Sequence, residues 1–544
     1  MEKSDIRRSP YWTHPGLVLS LVLLSLGLAF RLINLDNPFY WVDEVATSIR
    51  ISGYTQEQVV QQIATGDVLS IEDVQHYQQL NADRDWADTF DALRQSPEHA
   101  PLYFILARLW VQMFGSSVVA IRSLSVVCSV VALPCFYWLT VELFKAPVVG
   151  WMAVGLLSVS PFFVAYAQEA RPYSLWSVTL LLSGVALLRA MRLDMRLSWG
   201  VYALTLALTL YTSLLSVFVA LGQGIYVVVM TRSKSSPLKR TSRVRHYWMA
   251  TGLALLAVSP WLLIIAQQWM TLQTNTTWMR EPMNFGAIAG ILIYNLAVLF
   301  FDVPVSLDLS LATFAKVTVS LVLLALMGYA VYVLRLKSPT SVWLFVVTFA
   351  GTLPISLLLL DLVSNGQTST AARYLMPLQL GILLAISHLL THSMRFSLSN
   401  AQALTWRCVA IALVSLSIGS CLTHWSMPPK YQKSRNLSNG AIAAIVNRAE
   451  SPLVIAEADQ TLDLISLSYM FNSSVRIALS SEISSLLPRA CDSTFVFNPS
   501  SSAIQTIRAN HQLDLDEIYQ PKRLIAAERS LSLWTVTPVA ENCL

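Results

Sequence analysis

Residues 17–30 read LVLSLVLLSLGLAF, and Arg31 is the first charged residue after them. No small-residue cleavage site follows this apolar run, so we interpret it as a retained first membrane span rather than a signal peptide. The rest of the chain continues the pattern, since 54% of its 544 residues are hydrophobic and only 13% are charged. A soluble protein carries about 25% charged residues. The composition therefore predicts a polytopic membrane protein that is solvated largely by lipid.

A membrane-spanning helix takes about 20 apolar residues. The stretch 198–231 is too long for one span and is interrupted by YTS at 211–213, which predicts two short helices. Nine other stretches predict one helix each, namely 16–35, 118–143, 148–167, 173–191, 247–268, 312–335, 341–361, 373–392 and 407–425. We therefore expect about eleven transmembrane helices.

The charges of the loops predict their side of the membrane, because Lys and Arg concentrate in cytoplasmic loops. The linker 232–246 (RSKSSPLKRTSRVRH) has six Lys or Arg residues and no acid, and the segment 189–196 is also basic. Both fall on the cytoplasmic side with the basic N-terminal tail only if the apolar stretch 100–116 lies in the membrane interface. The same parity argument makes 286–303 re-entrant or interfacial. We therefore expect in-plane juxtamembrane helices at these two stretches.

This topology predicts an inner (plasma) membrane protein with a cytoplasmic N-terminus. Residues 1–427 form the transmembrane module, in which the outer loop 36–117 is the predicted catalytic loop. Residues 428–544 form an extracytoplasmic domain, whose Cys491 and Cys543 either pair as a disulfide or stay free. Short β-rich runs alternate there with helical segments, which predicts a small α/β domain; the runs are Leu453–Ala456, Val475–Leu479, Thr494–Asn498 and Leu531–Val536.

Two adjacent acids, Asp43 and Glu44, follow the first span in the aromatic-rich segment NPFYWVDEVATSIR. Carboxylates in an apolar setting at the membrane surface are candidates for catalysis, because burial raises a carboxyl pKa toward the working pH. The alternative is a pair of acids that only stabilises the N-terminus of a helix. Both interpretations stay open on the residues alone.

Three further groups lie on the same predicted side. Glu169 and Arg171, with Tyr173 beyond them, end the third span, where they are either functional or simply paired with each other. Glu98 and His99 are candidate metal ligands, or a polar entry into a helix. Arg373, followed by Tyr374, is placed to hold a phosphate at the headgroup level or to anchor its span. Together with Asp43 and Glu44, the three groups make up the candidate site.

The order of these motifs resembles the GT-C superfamily of glycosyltransferases that use polyprenyl-phosphate sugars. The chain is most similar to the branch with the protein O-mannosyltransferases and the aminoarabinose transferase that modifies lipid A. The resemblance covers roughly residues 15–390. It rests on the Asp43-Glu44 pair, PEHAPLY at 97–103, Phe114-Gly115 followed by Arg122, Ser160-Pro161 through Gln168-Glu169-Ala170-Arg171, Ser259-Pro260-Trp261, and RYLMP at 373–377.

The resemblance implies a GT-C fold and an inverting transfer of sugar from a polyprenyl-phosphate donor to a lipid, protein or polysaccharide acceptor. By resemblance, Asp43 matches the base and Glu169 the second acid, and Glu98 matches a position that binds a divalent metal in the lipid A enzyme. The partner histidine of that enzyme has no match here, since the corresponding loop reads TWMRE at 277–281. No cofactor other than this metal is implied, and membrane lipids but no nucleic acid are expected as partners.

Two other classes of function remain as alternatives. A transporter or flippase of lipid-linked saccharides would place polar residues at mid-membrane, often in broken helices and paired repeats. A membrane-anchored assembly protein would use its tail as the functional part. The acids gather at one surface and no internal repeat is evident, so the sequence favours the enzyme. It names neither the sugar nor the acceptor.

Overall fold

The structure, a computed structural model, describes residues 15–37, 39–234, 237–302, 310–424, 434–486, 493–509, 513–520 and 531–538. The predicted domain boundary after residue 427 and both Cys491 and Cys543 lie outside these ranges. The boundary and the pairing of the two cysteines therefore stay predictions.

Helices make up most of the described chain. In chain order they are α1 (Pro15–Leu32), α2 (Val42–Ile51), α3 (Gln56–Ile63), α4 (Ile71–Gln75), α5 (Trp86–Arg94), α6 (Leu102–Phe114), α7 (Val118–Phe144), α8 (Pro147–Val159), α9 (Pro161–Ala167), α10 (Tyr173–Leu193), α11 (Arg196–Thr212), α12 (Ser216–Lys234), α13 (Pro237–Gln267), α14 (Trp269–Asn275), α15 (Phe285–Ala297), α16 (Leu311–Lys337), α17 (Thr340–Ser364), α18 (Met376–Arg395), α19 (Asn400–Thr423), α20 (Asn439–Val446), α21 (Thr461–Ser468) and α22 (Ser501–Ala509).

Each of the eleven predicted spans coincides with a helix or a helix pair. Seven helices of the described chain are long and apolar enough to cross a membrane, or eight spans if the bent pair α8 and α9 counts as one. The long stretch 198–231 is divided into α11 and α12 at residues 213–215, close to the predicted break. The predicted fold class, an all-α membrane protein with a small α/β domain, is confirmed.

The two ambiguous apolar stretches contain short helices, α6 and α15, of 13 residues each. At 1.5 Å per residue such a helix is roughly 20 Å long, whereas the hydrocarbon core is about 30 Å thick. Helix α6 ends at Gly115, whose φ of +86° is a conformation that favours glycine. Neither stretch forms a full-thickness helix, as predicted.

The third predicted span is bent by 61° between α8 and α9. Pro161 begins α9, and its ring disfavours helical geometry at Ser160, which is extended. The break leaves carbonyls at the end of α8 without helical partners, and Arg31 of α1 donates to two of them, those of Ser158 at 2.5 Å and Leu157 at 3.4 Å. The first span thus holds the third span at its bend.

The predicted cytoplasmic segments lie together at one end of the helix bundle. Glu142 at the end of α7 pairs with Lys145 at 2.9 Å and with Arg192 of α10. Asp194 pairs with Arg243 at 3.4 Å and with His246 at 3.2 Å, both on α13. The basic segments around 145, 189–196 and 232–246 therefore lie at one end, as the parity argument requires. The compartment that this end faces stays a prediction.

The α/β part is built on one mixed sheet of six strands, in the order β1-β3-β2-β4-β6-β5. Strand β2 pairs in parallel with β3 and β4, and the other pairings are antiparallel. The four predicted β-rich runs all contain strands. The strands are β1 (Thr65–Leu69), β2 (Leu453–Glu457), β3 (Arg476–Ser480), β4 (Thr494–Phe497), β5 (Leu513–Tyr519) and β6 (Leu533–Pro538).

Strands β1 and β5 were not predicted, and β1 comes from the outer loop 36–117 rather than from the tail. Strand β1 is therefore an unexpected link between the two regions. It pairs with β3 so that Thr65 faces Ser480 and Leu69 faces Ile477. One face of the sheet packs in a core with residues of α2 and α3, and the other face packs against α22. The outer loop and the tail therefore share one core, which lies against the helix that carries Asp43.

Candidate active site

The site begins at α2, whose first turn contains both Asp43 and Glu44. Acids are favourable there because the first turn has unpaired N–H groups and the positive end of the helix dipole. Val45 and Ile49, farther along the helix, are completely buried in the core shared with the tail. Packing of this apolar side fixes α2, and with it the directions of the two carboxylates.

Glu44 is completely buried and forms a bidentate ion pair with Arg122 of α7. Arg122 donates from Nε to Oε1 at 2.8 Å and from Nη2 to Oε2 at 3.0 Å. The N–H of Ala170 also donates to Oε1, at 3.0 Å. Arg122 further donates to the carbonyls of the segment between α1 and α2. Glu44 therefore joins α2, α7 and the loop 168–172, and this arrangement favours support over proton transfer.

Asp43 has a different environment. Its side chain is 29% exposed, and its Oδ2 lies 3.7 Å from Nη2 of Arg171, which is longer than a hydrogen bond. Arg171 Nη1 instead donates to the backbone carbonyl of Asp43 at 3.3 Å and to Thr47 Oγ1 at 3.2 Å. Asp43 thus presents a carboxylate that is partly accessible beside a buried guanidinium.

Glu169 is completely buried in the loop before α10. It interacts electrostatically with Arg122 and with Arg171. Burial by itself lowers the pKa of Arg171, but Tyr173, Asp43 and Glu169 raise it above its ordinary value, so the guanidinium stays charged. The predicted acids Asp43, Glu44 and Glu169 therefore gather around two arginines.

Arg373, 202 positions beyond Arg171 in the chain, reaches the same cluster. Its guanidinium carbon is 5.3 Å from the ring centres of Tyr374 and Trp278, and it interacts electrostatically with Tyr173 and Asp43. Arg171 lies 5.9 Å from the ring centre of Tyr173. The structure thus brings the four predicted substrate-binding residues to one place beside Asp43.

The loop before Arg373 is held by Asp361 of α17. Its two carboxylate oxygens accept hydrogen bonds from the backbone N–H groups of Thr368, at 2.8 Å, and Ser369, at 2.6 Å. Asp361 is only 1% exposed. A buried carboxylate with two such bonds fixes the loop that delivers Arg373 to the site.

Glu98 and His99, the candidate metal ligands, also lie in the cluster. Glu98 accepts a hydrogen bond from Asn275 at 3.1 Å, and its Oε1 lies 3.6 Å from His99 Nε2 and 4.0 Å from Arg50 Nη2. Burial, followed by the charges of Arg50, Arg171 and Arg373, holds the pKa of His99 well below its ordinary value. His99 is therefore neutral near pH 7.

These surroundings do not fit a divalent metal. A catalytic zinc ion takes three protein ligands, and any divalent cation beside Glu98 would be repelled by the guanidinium of Arg50. Within the ranges that the structure describes, no group of three or more His, Cys, Asp or Glu side chains is placed to hold a metal ion. The position beside Glu98 is instead taken by the guanidinium of Arg50 and the amide of Asn275.

Arg50 is the main residue of the site that sequence reasoning missed. It is 3% exposed, and its Nε donates to Ser96 Oγ at 2.9 Å. Burial lowers its pKa to about 10, while the charge of Glu98 opposes this shift. Arg50 follows Asp43 by seven positions, which places both on one face of α2. This spacing from Asp43 is the sequence signal that could have identified Arg50 as a residue of the site.

A family model described as dolichyl-phosphate-mannose-protein mannosyltransferase matches residues 98–264 of the chain. The match begins at Glu98 and includes Arg122, Glu169 and Arg171. Comparison with curated proteins gives no match. The family match therefore covers the centre of the transmembrane module, with part of the candidate site.

Among solved structures, the chain is similar to ArnT from Cupriavidus metallidurans in the apo state, with a TM-score of 0.50 and 12% identity over 95% of this chain and 98% of that one. ArnT bound to undecaprenyl phosphate gives a TM-score of 0.49 and 12% identity, over 96% and 98% of the two chains. The archaeal oligosaccharyltransferase AglB from Archaeoglobus fulgidus gives 0.42 and 11% identity, over 85% and 65%. The likeness to apo ArnT extends over nearly the whole of both chains, and with the family match it confirms the predicted resemblance: this chain has the GT-C glycosyltransferase fold.

Proposed function

We propose that this chain is an inverting glycosyltransferase that moves a sugar from a polyprenyl-phosphate carrier to an acceptor on the extracytoplasmic face of the membrane. One observation carries the proposal: the partly exposed carboxylate of Asp43 lies beside two arginines, Arg171 and Arg373, that come from different spans. A carboxylate is suited to accept a proton, and guanidinium groups are suited to hold a phosphate. The GT-C fold and the match to a mannosyltransferase family model support this assignment.

In the proposed reaction an acceptor hydroxyl attacks the anomeric carbon of the donor sugar. Its proton passes to Asp43, a carbon–oxygen bond forms to the acceptor, and the bond from the anomeric carbon to the phosphate oxygen breaks. Inversion follows if the acceptor and the leaving phosphate occupy opposite faces of the sugar, as in inverting glycosidases. Arg171 and Arg373 stabilise the charge that develops on the leaving phosphate. Glu44 and Glu169 keep Arg122 and Arg171 in place.

The test is a transfer assay with the purified full chain. A panel of radiolabelled polyprenyl-phosphate sugars is incubated with extracted lipid, protein and polysaccharide acceptors, and an Asp43→Asn variant serves as the blank. Transfer of label from one donor to one acceptor class, absent in the blank, is the expected result. The proposal fails if no donor in the panel yields a labelled acceptor.

One observation bears on the alternative, a transporter or flippase. The bent pair α8 and α9 is a discontinuous helix, a feature of many transporters. Arg31 already donates to the carbonyls at its bend, however. The acids gather where α7 and α10 begin, at the opposite end from Glu142 and Asp194, where these two helices end. A flippase would move labelled donor across vesicle membranes without forming a labelled acceptor, so the same panel in vesicles separates the two functions.

The orientation is tested separately with reporter fusions at Arg240 and at Ser500. The loop charges predict that the first reporter is cytoplasmic and the second extracytoplasmic. Both reporters in one compartment would contradict the proposed topology, and with it an extracytoplasmic acceptor.

A further inference from the structure

Among the residues that the structure describes, no neighbour of α2 in the chain caps the N-terminus of this helix with its side chain. Its N-cap residue is Trp41, whose side chain makes no capping hydrogen bond. The first N–H of the helix, that of Val42, instead donates at 3.0 Å to Oδ1 of Asn436, 394 positions away. Asparagine is a preferred capping residue because its side-chain oxygen accepts such bonds. The cap of the helix that carries Asp43 is therefore supplied by the C-terminal part of the chain.

The Asn436 side chain is held in one orientation. It is completely buried, and its Nδ2 donates to Asp463 Oδ1 at 3.1 Å. Asp463 is in turn paired with Arg435 through bonds of 2.9 and 3.1 Å from Nε. An N–H donor on one side and a carboxylate on the other determine which end of the amide faces α2. The cap is thus part of a connected polar network.

The C-terminal domain also contacts the residues around the cap directly. Ser466 of α21 donates to the carbonyl of Tyr40 at 2.7 Å, and the rings of Tyr40 and Tyr469 lie 4.9 Å apart. Tyr40 also forms a 2.5 Å hydrogen bond with Ser48, nearly two turns into α2. The outer loop is attached to the same domain a second time, because its strand β1 pairs with β3 of the tail. Asn436 therefore belongs to an interface that several contacts hold in place, rather than to an unattached tail.

We infer that the C-terminal domain is a working part of the active site, in which Asn436 is a positioning residue for Asp43. Asp43 lies between Val42, which bonds Asn436, and Glu44, which bonds Arg122 of the membrane module. The first turn of α2 is therefore fixed from two sides. The catalytic part of this inference rests on the proposed function, whereas the structural part, capping of α2 by the tail, does not.

The experiment compares Asn436→Ala with Asn447→Ala in the full-length protein. Asn447 is a matched control, because it is an asparagine of the same domain whose hydrogen bonds in the described chain stay within that domain, to Met470 and Asn472. In Asn436→Ala we expect hydrogen exchange of the first turn of α2 to speed up about fivefold, the change typical of a lost cap. We also expect kcat to fall by a similar factor with an unchanged donor KM. Asn447→Ala should leave both values at the wild-type level.

A paired substitution provides the rescue. Asn436→Asp together with Asp463→Asn keeps one carboxylate and one amide in contact and keeps an acceptor facing Val42, so it should restore slow exchange and most of kcat. Wild-type exchange in Asn436→Ala would overturn the cap, and faster exchange without a change in kcat would overturn the positioning role. A loss of activity that matches the loss of folded protein, equal in Asn436→Ala and Asn447→Ala, would also overturn it. Failure of the proposed function has a different signature, since the wild-type protein would then transfer no label from any donor while the exchange result for Asn436→Ala is unaffected.

Discussion

Two neighbouring carboxylates of α2 have opposite environments. Glu44 is completely buried and meets Arg122 through bonds of 2.8 and 3.0 Å, with a third bond from the N–H of Ala170. Asp43 is 29% exposed and lies 3.7 Å from the nearest guanidinium nitrogen of Arg171. Successive residues of a helix point about 100° apart, so one turn directs Glu44 into the protein and Asp43 toward the cluster of candidate substrate-binding residues.

This difference indicates that Glu44 supports the structure of the site, whereas Asp43 is available for chemistry. A buried bidentate pair is strongly destabilised when one partner is removed, because a charge is left without compensation. A carboxylate that is partly exposed and not closely paired can exchange a proton with a substrate. Mutations at the two positions should therefore affect different measurements, activity for Asp43 and stability for Glu44.

The largest expected effect is the loss of turnover in Asp43→Asn. The amide keeps the shape of the side chain but cannot accept a proton, and general-base catalysis contributes about 10²–10⁴-fold. We expect kcat to fall by about that factor, while thermal unfolding and donor binding stay near the wild-type values. Near-normal turnover in this variant would require a different base, with Glu169 the next candidate.

Glu44→Gln should act on stability instead. Breaking a buried ion pair typically costs about 3–5 kcal/mol, so we expect less folded protein and a lower unfolding temperature, with a smaller loss of turnover per folded molecule than in Asp43→Asn. The matched control is Glu142→Gln, which breaks a more exposed pair at the other end of the bundle and should cost only about 0–1 kcal/mol. If Glu44→Gln were the more damaging change to turnover, the roles of the two acids would be reversed.

Arg171→Ala and Arg373→Ala should raise the donor KM. Hydrogen bonds to charged groups contribute about 1.5–3 kcal/mol, which corresponds to an increase of about 10- to 100-fold for each. Arg94→Ala, which removes an exposed arginine of the outer loop 36–117, is the control and should leave KM unchanged. Unchanged donor kinetics in both single variants would exclude the two arginines from phosphate binding.

The smallest expected effect is the pH dependence due to His99. Its pKa is lowered in the folded state by burial and by three neighbouring arginines, so the fold favours the neutral ring. The stabilisation is complete above the unfolded pKa of about 6.5 and is lost as the pH falls below that value. We expect thermal unfolding to show a smaller loss of stability between pH 7.5 and 5.5 in His99→Gln than in the wild type. Equal losses in the two proteins would argue against a histidine that the folded state keeps neutral.

The sequence predicted most of the membrane architecture because lipid imposes strong constraints on composition. Apolar stretches of spanning length and basic loops identified the eleven helical segments and the short α6 and α15. It did not predict β1, whose TGDVL contains Gly and Asp, residues that are rare in strands. That strand forms because the edge of β3 offers backbone groups to pair with. Arg50 was also missed, since it is a single polar residue whose partners come from another part of the loop.

Sequence alone determined that acids, arginines and a histidine gather at one end of a GT-C-like bundle. The resemblance pointed to Asp43 as the base, but the sequence did not decide how the neighbouring Glu44 is held. Only the tertiary structure did, because the partners of Glu44 and Val42 are Arg122, 78 positions from Glu44, and Asn436, 394 positions from Val42. Burial and pairing at this site arise from residues that are distant along the chain, and no local pattern around Asp43 and Glu44 contains that information.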